Sequence, residues 1–203
     1  MSPEQIEALA REQGPYVFDR MFSAVEKVRE RLERSCRALT DAGVPYAVIG
    51  GHAVAAWVAT RDEGAVRNTR DVDLLLRSED LDRATAALTA AGFVLDSVMD
   101  VIVFLDGLDG KPSQGIHVLR AGQKVKAEYV NPAPDVTAAS DIDGKRIVEL
   151  TALVRMKLNS FRLKDRVHLH DMIGVGLLDQ SWPPRFEAPL AGRLQELLDN
   201  PEG

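Results

Sequence analysis

Two short apolar runs, joined by a polar loop, constrain the fold of this chain most strongly. The first covers Tyr46–Ile49 and ends in the pair Gly50-Gly51, and the second covers residues 71–76. Runs of this length favour buried strands over helices, and a glycine pair directly after a strand permits a sharp turn into a helix. The sequence therefore predicts a strand, a tight turn and a helix over residues 46–59, with a second strand at residues 71–76.

Helix signals dominate the N-terminal part of the chain. Ser2 is placed as an N-cap, Pro3 suits the first helical position, and Gln5 completes a capping box. The pair Gly14-Pro15 predicts the end of this first helix. Apolar residues at helical spacing then predict a second, longer helix over residues 16–39.

Helices and strands alternate through the rest of the chain. The remaining predicted helices cover residues 78–91, 151–178 and 190–198, and the remaining strands cover residues 93–98, 101–105 and 116–119, with a short one near Ile147. Residues 131–143, which include two prolines, are predicted to form a loop. This alternation favours an α/β core flanked by helices. The predicted parts are N-terminal helices at 1–42, the core at 43–150, and a C-terminal helical subdomain at 151–203.

Composition excludes some classes of function. The 203 residues carry a net charge of -6, which argues against a surface coated in basic residues for wrapping long nucleic acid. Basic residues do cluster at 61–70, 124–126 and 155–166, so a local basic cleft is compatible with the sequence. No apolar run reaches the ~20 residues of a membrane span, and the N-terminus lacks a signal-peptide pattern. Because the single cysteine, Cys36, has no internal disulfide partner, the sequence predicts a cytoplasmic protein without a membrane partner.

Two aspartates at the start of the second strand form the candidate metal site. Side chains two apart on a strand point to the same face, so Asp71 and Asp73 would present their carboxylates together. The carboxylates would repel each other unless a cation lies between them, and Mg²⁺ on a nucleoside triphosphate takes such oxygen ligands. The alternative is that both are exposed turn residues leading into a strand. The Gly50-Gly51 turn favours the metal site, because its backbone N–H groups at a helix N-terminus can approach phosphate oxygens closely.

The two motifs together point to a known superfamily. Ile49-Gly50-Gly51 followed by Asp71-x-Asp73 resembles the signature of the nucleotidyltransferases related to DNA polymerase beta. The longer pattern Arg67-x-Thr69-x-Asp71-x-Asp73 resembles the AbiEii-like toxins of bacterial type IV toxin–antitoxin systems, and looser similarity continues in residues 153–158 and 165–171. The resemblance implies an α/β (α+β) nucleotidyltransferase fold, in which a small mixed sheet is flanked by helices, with N-terminal helices and a C-terminal helical subdomain.

The resemblance also implies roles for individual residues. It places metal and triphosphate at Asp71 and Asp73, and phosphate contacts at the Gly50-Gly51 turn. It implies that Lys157 contacts the triphosphate or the incoming group, and that a later acid, Asp171 in preference to Asp165, supports this lysine or the substrate. Arg67 and Thr69 would orient the acidic strand or meet phosphate.

A purely structural interpretation of the later residues stays open. Lys157 lies in a predicted helix, and most helix lysines extend into water. Residues 165–171 would equally suit a polar helix face with internal ion pairs. His168 and His170 are two apart and so do not share a helix face, which argues against a paired zinc site.

The chain departs from the superfamily pattern at one position. Active members usually carry a third carboxylate on a later strand, where it helps to deprotonate the attacking hydroxyl. The corresponding strand here offers His117 and no acid. His117, with an ordinary pKa near 6.5, could act as the general base, or Glu128 could reach in from the next segment. The third alternative is a chain that binds nucleotide without transferring it.

The function implied is Mg²⁺-dependent transfer of a nucleoside monophosphate from a nucleoside triphosphate to a hydroxyl. The resemblance suggests RNA, for instance a tRNA end, as the acceptor, in a toxin-like enzyme with a cognate antitoxin as partner. Two alternatives are a transferase acting on a small molecule such as an aminoglycoside, and a catalytically silent module that binds nucleotide or a partner. A deep acidic pocket would favour the small molecule, and an open basic groove would favour RNA.

Overall fold

The computed structural model describes residues 2–98 and 101–200. Its helices are α1 Pro3–Asp41, α2 Gly50–Ala59, α3 Leu81–Ala90, α4 Leu150–Ser160, α5 Leu163–Gly174 and α6 Ala188–Asp199. Its strands are β1 Tyr46–Ile49, β2 Val72–Leu76, β3 Phe93–Val98, β4 Val101–Asp106, β5 Ile116–Arg120, β6 Ala139–Ile142 and β7 Lys145–Val148.

The seven described strands form one mixed sheet in the order β3-β4-β5-β2-β1-β7-β6. At its centre β1 pairs antiparallel with β2, and β2 pairs parallel with β5. On the other side β1 pairs parallel with β7. Consequently the end of β1 and the starts of β2 and β5 lie together at one edge of the sheet.

The core lies at the two central strands. All four residues of β1 are buried, as are four of the five residues of β2, the exception being Asp73. The same cluster of buried apolar side chains includes Leu39 of α1, Leu153 of α4 and Leu194 of α6. The backbone N–H and C=O groups of a buried strand must form hydrogen bonds with neighbouring strands. Pairing at the centre of the sheet therefore fixes the positions of β1 and β2, and with them the residues at their ends.

Helix α1 differs from the prediction. Its N-terminus has the predicted Ser2 cap and capping box with Gln5, but the helix continues through Gly14-Pro15 as one element of 39 residues. The φ angle that proline requires is itself helical, so Pro15 removes one backbone hydrogen bond without ending the helix. The apolar stripe also divides in two, because Phe18 and Phe22 are exposed whereas Leu32 and Leu39 are buried.

Two further predictions were wrong in detail. Residues 139–142, predicted as loop, form the edge strand β6, which pairs antiparallel with β7. Residues 151–178, predicted to be helical throughout, form the two helices α4 and α5, with a break at Phe161, and α5 ends at Gly174. Phe161 has a φ of 44°, in the left-handed region, and so ends α4.

Among the residues that the structure describes, no helix is both long and apolar enough to cross a membrane.

Candidate active site

The two predicted motifs meet at the edge of the sheet where β1 ends and β2 and β5 begin. The register places Ile49 of β1 opposite Asp73 of β2, and Asp73 opposite His117 of β5. Asp71 lies immediately before β2. The glycine turn that follows Ile49 is therefore held beside the two aspartates by the pairing of the central strands.

The glycine turn packs directly on the acidic strand. Gly50 has a φ of +67°, and a Cβ placed on it would lie 2.7 Å from Cγ of Asp73. A Cβ on Gly51 would lie 2.6 Å from Oγ1 of Thr69. Both positions therefore require glycine for lack of space, and Gly50 also requires it for its left-handed backbone. The turn opens α2, whose N-cap residue provides no side-chain cap, so the first amides of α2 are free to bind an anion.

These residues line one cavity of about 840 Å³. Its wall includes the Gly50-Gly51 turn, Asp71, Asp73 and His117. Six basic residues also line it, Arg120, Lys124, Lys126, Lys157, Arg162 and Lys164, against three acidic ones, Asp71, Asp73 and Asp165. A volume of this size is in the range of pockets for nucleotide-sized ligands, and its excess of cations favours an anionic ligand.

Lys157 is buried in the cavity wall and paired with an acid. Its Nζ lies 3.2 Å from Oδ1 of Asp165, whose side chain is only 1% exposed. Asp165 also accepts hydrogen bonds from Ser160 Oγ at 2.6 Å and Arg162 Nε at 2.8 Å. Burial by itself would raise the pKa of Asp165, but the bonds from Arg162 and Ser160 and the charge of Lys157 lower it to about 2. Burial also lowers the pKa of Lys157, and Asp165 opposes that shift.

The preference for Asp171 over Asp165 as the support of Lys157 is corrected by this geometry. Asp171 instead accepts a hydrogen bond from Nε of Arg67 at 2.7 Å. Arg67, Thr69 and Asp171 line a second, much smaller cavity beside Gly51. The reason is helical spacing: Asp165 lies in the first turn of α5, facing the end of α4 that carries Lys157, whereas Asp171 lies almost two turns further along.

The two aspartates have different surroundings. Burial raises the pKa of Asp73, the charges of His117 and Lys157 oppose this shift, and the charge of Asp71 adds to it. Asp71 is more open, and its Oδ2 lies 3.3 Å from Nζ of Lys164. A raised pKa at Asp73 means that its ionised form lacks a sufficient counter-charge, which a bound cation would supply.

His117 lies on β5, the strand on which the sequence resemblance led us to expect a carboxylate. Its Nδ1 lies 3.8 Å from Oδ1 of Asp73, and the ring is part of the cavity wall. Glu128, the other candidate, is not a lining residue, and its carboxylate lies 3.9 Å from Nζ of Lys126 with its side chain 70% exposed. The structure therefore brings His117, and not Glu128, to the two aspartates.

Two histidines near the site are held neutral. Burial lowers the pKa of His52, which follows the glycine turn, to about 4, although the charge of Asp71 opposes the shift. Burial, followed by the charges of Lys157 and Lys164, lowers the pKa of His168 to about 4. Neutral imidazoles add no positive charge at pH 7, so His52 and His168 do not add to the charge of the lysines and arginines in the cavity wall.

The segment between β5 and β6 covers one side of the cavity. Asn159 of α4 fixes it, accepting hydrogen bonds from the backbone N–H groups of Val130 at 3.0 Å and Asn131 at 3.3 Å. Its Nδ2 donates to the carbonyl oxygen of Asn131 at 3.2 Å. Tyr129 and Asn131 are thereby held in the wall of the cavity.

Several residues of the site belong to none of the sequence motifs. Ser160, Arg162 and Lys164 all lie at the junction of α4 and α5. The cluster of basic residues at 155–166 was a signal for two of them. The Asn159 clamp had no signal in the sequence, because it depends on a loop that is distant along the chain.

The architecture is similar to that of several solved structures. The solution structure of the antibiotic-resistance factor ANT(2'')-Ia matches with a TM-score of 0.54 and 15% identity, over 87% of this chain and 92% of that chain. An antigenic nucleotidyltransferase-like protein from Paracoccidioides brasiliensis matches with a TM-score of 0.53 and 20% identity, over 85% of this chain and 90% of that chain. The Megavirus polyadenylate synthase matches with a TM-score of 0.52 and 12% identity, over 86% of this chain and 38% of that chain.

Comparisons with protein-family models and with curated proteins give no match. At these levels of identity the structural similarity establishes architecture and not activity. The mixed sheet flanked by helices, with the glycine turn against the acidic strand, confirms the predicted fold class. This chain has the nucleotidyltransferase fold.

Proposed function

We propose that the chain transfers a nucleoside monophosphate from a Mg²⁺-bound nucleoside triphosphate to a hydroxyl group of RNA. One observation carries the proposal: the Gly50-Gly51 turn, Asp71, Asp73 and Lys157 all line the same cavity. This arrangement combines acids for a divalent cation with amides and a lysine for phosphate oxygens.

The acids fit Mg²⁺ bound together with a triphosphate. Within residues 2–98 and 101–200 no group of three or more His, Cys, Asp or Glu side chains could hold a metal ion without help. Mg²⁺ commonly takes only one or two protein carboxylates and completes its shell with phosphate oxygens and water. Asp71 and Asp73 would be those carboxylates, and the raised pKa of Asp73 agrees with a counter-charge being needed there. When bound, Mg²⁺ would neutralise triphosphate oxygens and make the α-phosphorus more electrophilic.

The remaining residues act on the two oxygens that exchange. The acceptor hydroxyl oxygen forms a bond to the α-phosphorus while the bond from that phosphorus to the bridging oxygen of pyrophosphate breaks. His117 lies beside Asp73 and would accept the hydroxyl proton. The Gly50 and Gly51 amides and the ammonium of Lys157 would stabilise the negative charge that collects on pyrophosphate. Asp165 acts through Lys157, whose orientation it fixes.

The charge of the cavity wall favours a nucleic-acid acceptor. Besides the two aspartates, the cavity wall contains the basic residues Arg120, Lys124 and Lys126. Such a wall suits the phosphates of an RNA end, whereas an aminoglycoside, itself a polycation, would be repelled. We therefore propose RNA as the acceptor in preference to a small molecule. The resemblance of Arg67-x-Thr69-x-Asp71-x-Asp73 to the AbiEii-like toxins supports tRNA as the preferred acceptor and a cognate antitoxin as a partner.

Transfer of label tests the proposal. The purified chain is incubated with each α-labelled nucleoside triphosphate, Mg²⁺ and total RNA, and in parallel with a panel of aminoglycosides. We expect label on RNA, concentrated in the tRNA fraction, and none on the aminoglycosides. The matched control is the Asp71→Asn, Asp73→Asn double variant, which keeps the side-chain volumes and removes both charges.

Two other outcomes would contradict the proposal in different ways. Label on an aminoglycoside and not on RNA would assign the chain to the small-molecule transferases. Nucleotide binding without label on any acceptor would assign it to the silent modules, in line with the missing third carboxylate.

A further inference from the structure

The two lysines nearest the aspartates are held very differently. Lys157 is buried and paired with Asp165. Lys164, in the first turn of α5, is 53% exposed, and its ammonium lies 3.3 Å from Oδ2 of Asp71. Lys157 therefore has a fixed position, whereas Lys164 is held by a flexible four-carbon stem and a partly solvent-exposed ion pair with Asp71.

The position of Lys164 is unfavourable for the helix that carries it. The N-terminus of an α-helix bears a partial positive charge, so a basic residue in its first turn is repelled by the helix dipole. Arg162, just before α5, adds a second positive charge at the same end. Arg162 is compensated by its hydrogen bonds to Asp165, whereas Lys164 donates its hydrogen bond to Asp71, which lies outside α5. This end of α5 thus directs concentrated positive charge into the cavity.

The ammonium of Lys164 contacts Asp71, one of the two carboxylates proposed to hold Mg²⁺. Oδ2 of Asp71 accepts a hydrogen bond from Lys164, so a metal ion that binds this oxygen must compete with the lysine. A divalent ion at Asp71 and the ammonium of Lys164 carry like charges and would repel each other over a few ångströms. The two cations cannot both be close to Asp71 at low cost.

We infer that Lys164 exchanges partners: it neutralises Asp71 when the cavity is empty and binds phosphate oxygens of the incoming triphosphate when the metal takes its place. This inference rests on the proposed function for the identity of the ligand. It assigns Lys164 a role distinct from that of Lys157, which keeps its contact with Asp165 throughout.

The exchange predicts opposite changes in two affinities, because Lys164 would compete with the metal for Asp71 but would help to bind the phosphates. Replacing Lys164 by glutamine frees Asp71, and binding of a divalent cation alone should tighten by about two- to five-fold, the size of an exposed ion pair. The same change removes a charge-assisted hydrogen bond to phosphate, and binding of a triphosphate should weaken by roughly ten- to a hundred-fold. A residue that only supported the fold would not move the two affinities in opposite directions.

Titration calorimetry on the full chain tests the inference with two probes that need no knowledge of the base. The first is MnCl₂ alone, and the second is inorganic tripolyphosphate in the presence of Mg²⁺. Lys164→Gln should bind Mn²⁺ more tightly and tripolyphosphate more weakly, and Lys164→Arg should keep tripolyphosphate binding within a few-fold of the wild type. The matched control is Lys145→Gln, which removes one positive charge from a pair with Asp143 on the β6–β7 hairpin, outside the cavity.

The outcomes separate the inference from the proposed function. If the wild type binds both probes and Lys164→Gln binds them as the wild type does, or binds both more weakly, the exchange is wrong and the proposed function stands. If the wild type binds neither probe, the proposed function fails and the exchange fails with it. Thermal melting of each variant shows whether a weakened affinity comes from loss of the fold.

Discussion

Asp165 is the most deeply buried acid of the site, and its removal should be costly. The change Asp165→Asn keeps the side-chain volume but turns an acceptor-only carboxylate into an amide. Its Nδ2 would then face Lys157 or Arg162, so that donors oppose donors. The buried ammonium of Lys157 would also lose its counter-ion.

The cost can be worked from the contacts of Asp165. Its pKa falls from an ordinary value of 3.8 to about 2, and one pKa unit corresponds to about 1.4 kcal/mol. The ionised carboxylate therefore stabilises the fold by roughly 2 kcal/mol at pH 7. Removal of one partner from a buried ion pair costs about 3–5 kcal/mol, which sets an upper limit. We expect Asp165→Asn to lower the free energy of unfolding at pH 7 by about 2–5 kcal/mol.

The pH dependence of this loss has a definite sign. Because the pKa of Asp165 is lower in the folded state, its contribution is complete above about pH 4 and is lost as the pH falls towards 2. The free energy of unfolding, measured by urea denaturation, should therefore differ between wild type and Asp165→Asn by a constant amount from pH 7 to pH 5. Below pH 4 this difference should become smaller.

Asp143→Asn is the matched control, since Asp143 is 94% exposed in its pair with Lys145, and this change should leave the unfolding midpoint nearly unchanged. Equal midpoints for Asp165→Asn and wild type at pH 7, or a difference that widens on acidification, would refute the assignment of a buried, ionised Asp165.

Three other predictions concern the edge of the sheet. Asp73→Asn should abolish transfer of label but leave the melting temperature unchanged or higher, because burial raises the pKa of Asp73 and the charge disfavours the fold; a lower melting temperature would contradict this. Gly50→Ala should lower the unfolding free energy more than Gly144→Ala, since both have φ near +70° but only Gly50 has Asp73 in the path of the new Cβ; equal losses in urea denaturation would count against the close packing. His117→Gln should slow transfer by about 10²–10⁴-fold with nucleotide binding retained, whereas Glu128→Gln should transfer at the wild-type rate; the reverse pattern would make Glu128 the base.

The central part of the fold could be predicted because local signals and burial agree there. The run Tyr46–Ile49 is fully buried as β1, and its glycine pair turns the chain where predicted. The edge strand β6 could not be predicted, because the apolar residues of Ala139–Ile142 are three positions apart and do not alternate with polar ones, and the strand is defined by its pairing with β7. Strands of this kind are defined by pairing and not by their own residues.

The placement of the candidate residues could be predicted where it depends on spacing along a strand, and could not where it depends on contacts between helices. The strand period placed Asp71 and Asp73 in one cavity wall, as expected. The choice between Asp165 and Asp171 depended on the angle between α4 and α5. The sequence predicted a continuous helix through residue 161, and such a helix contains no angle between two parts. Phe161, whose left-handed backbone separates α4 from α5, has no strong signal in the sequence.

The bend at Phe161 decides how charge reaches the sheet edge. In one uninterrupted helix, residues 157 and 164 would share a face, spaced about 10 Å along its axis. With the chain turned at Phe161, Lys157 of α4 contacts Asp165 and Lys164 of α5 contacts Asp71, and both lysines line the same cavity. A β-branched side chain at position 161 would disfavour the left-handed backbone there. The residue at this one position therefore affects whether Lys157 and Lys164 face the same cavity.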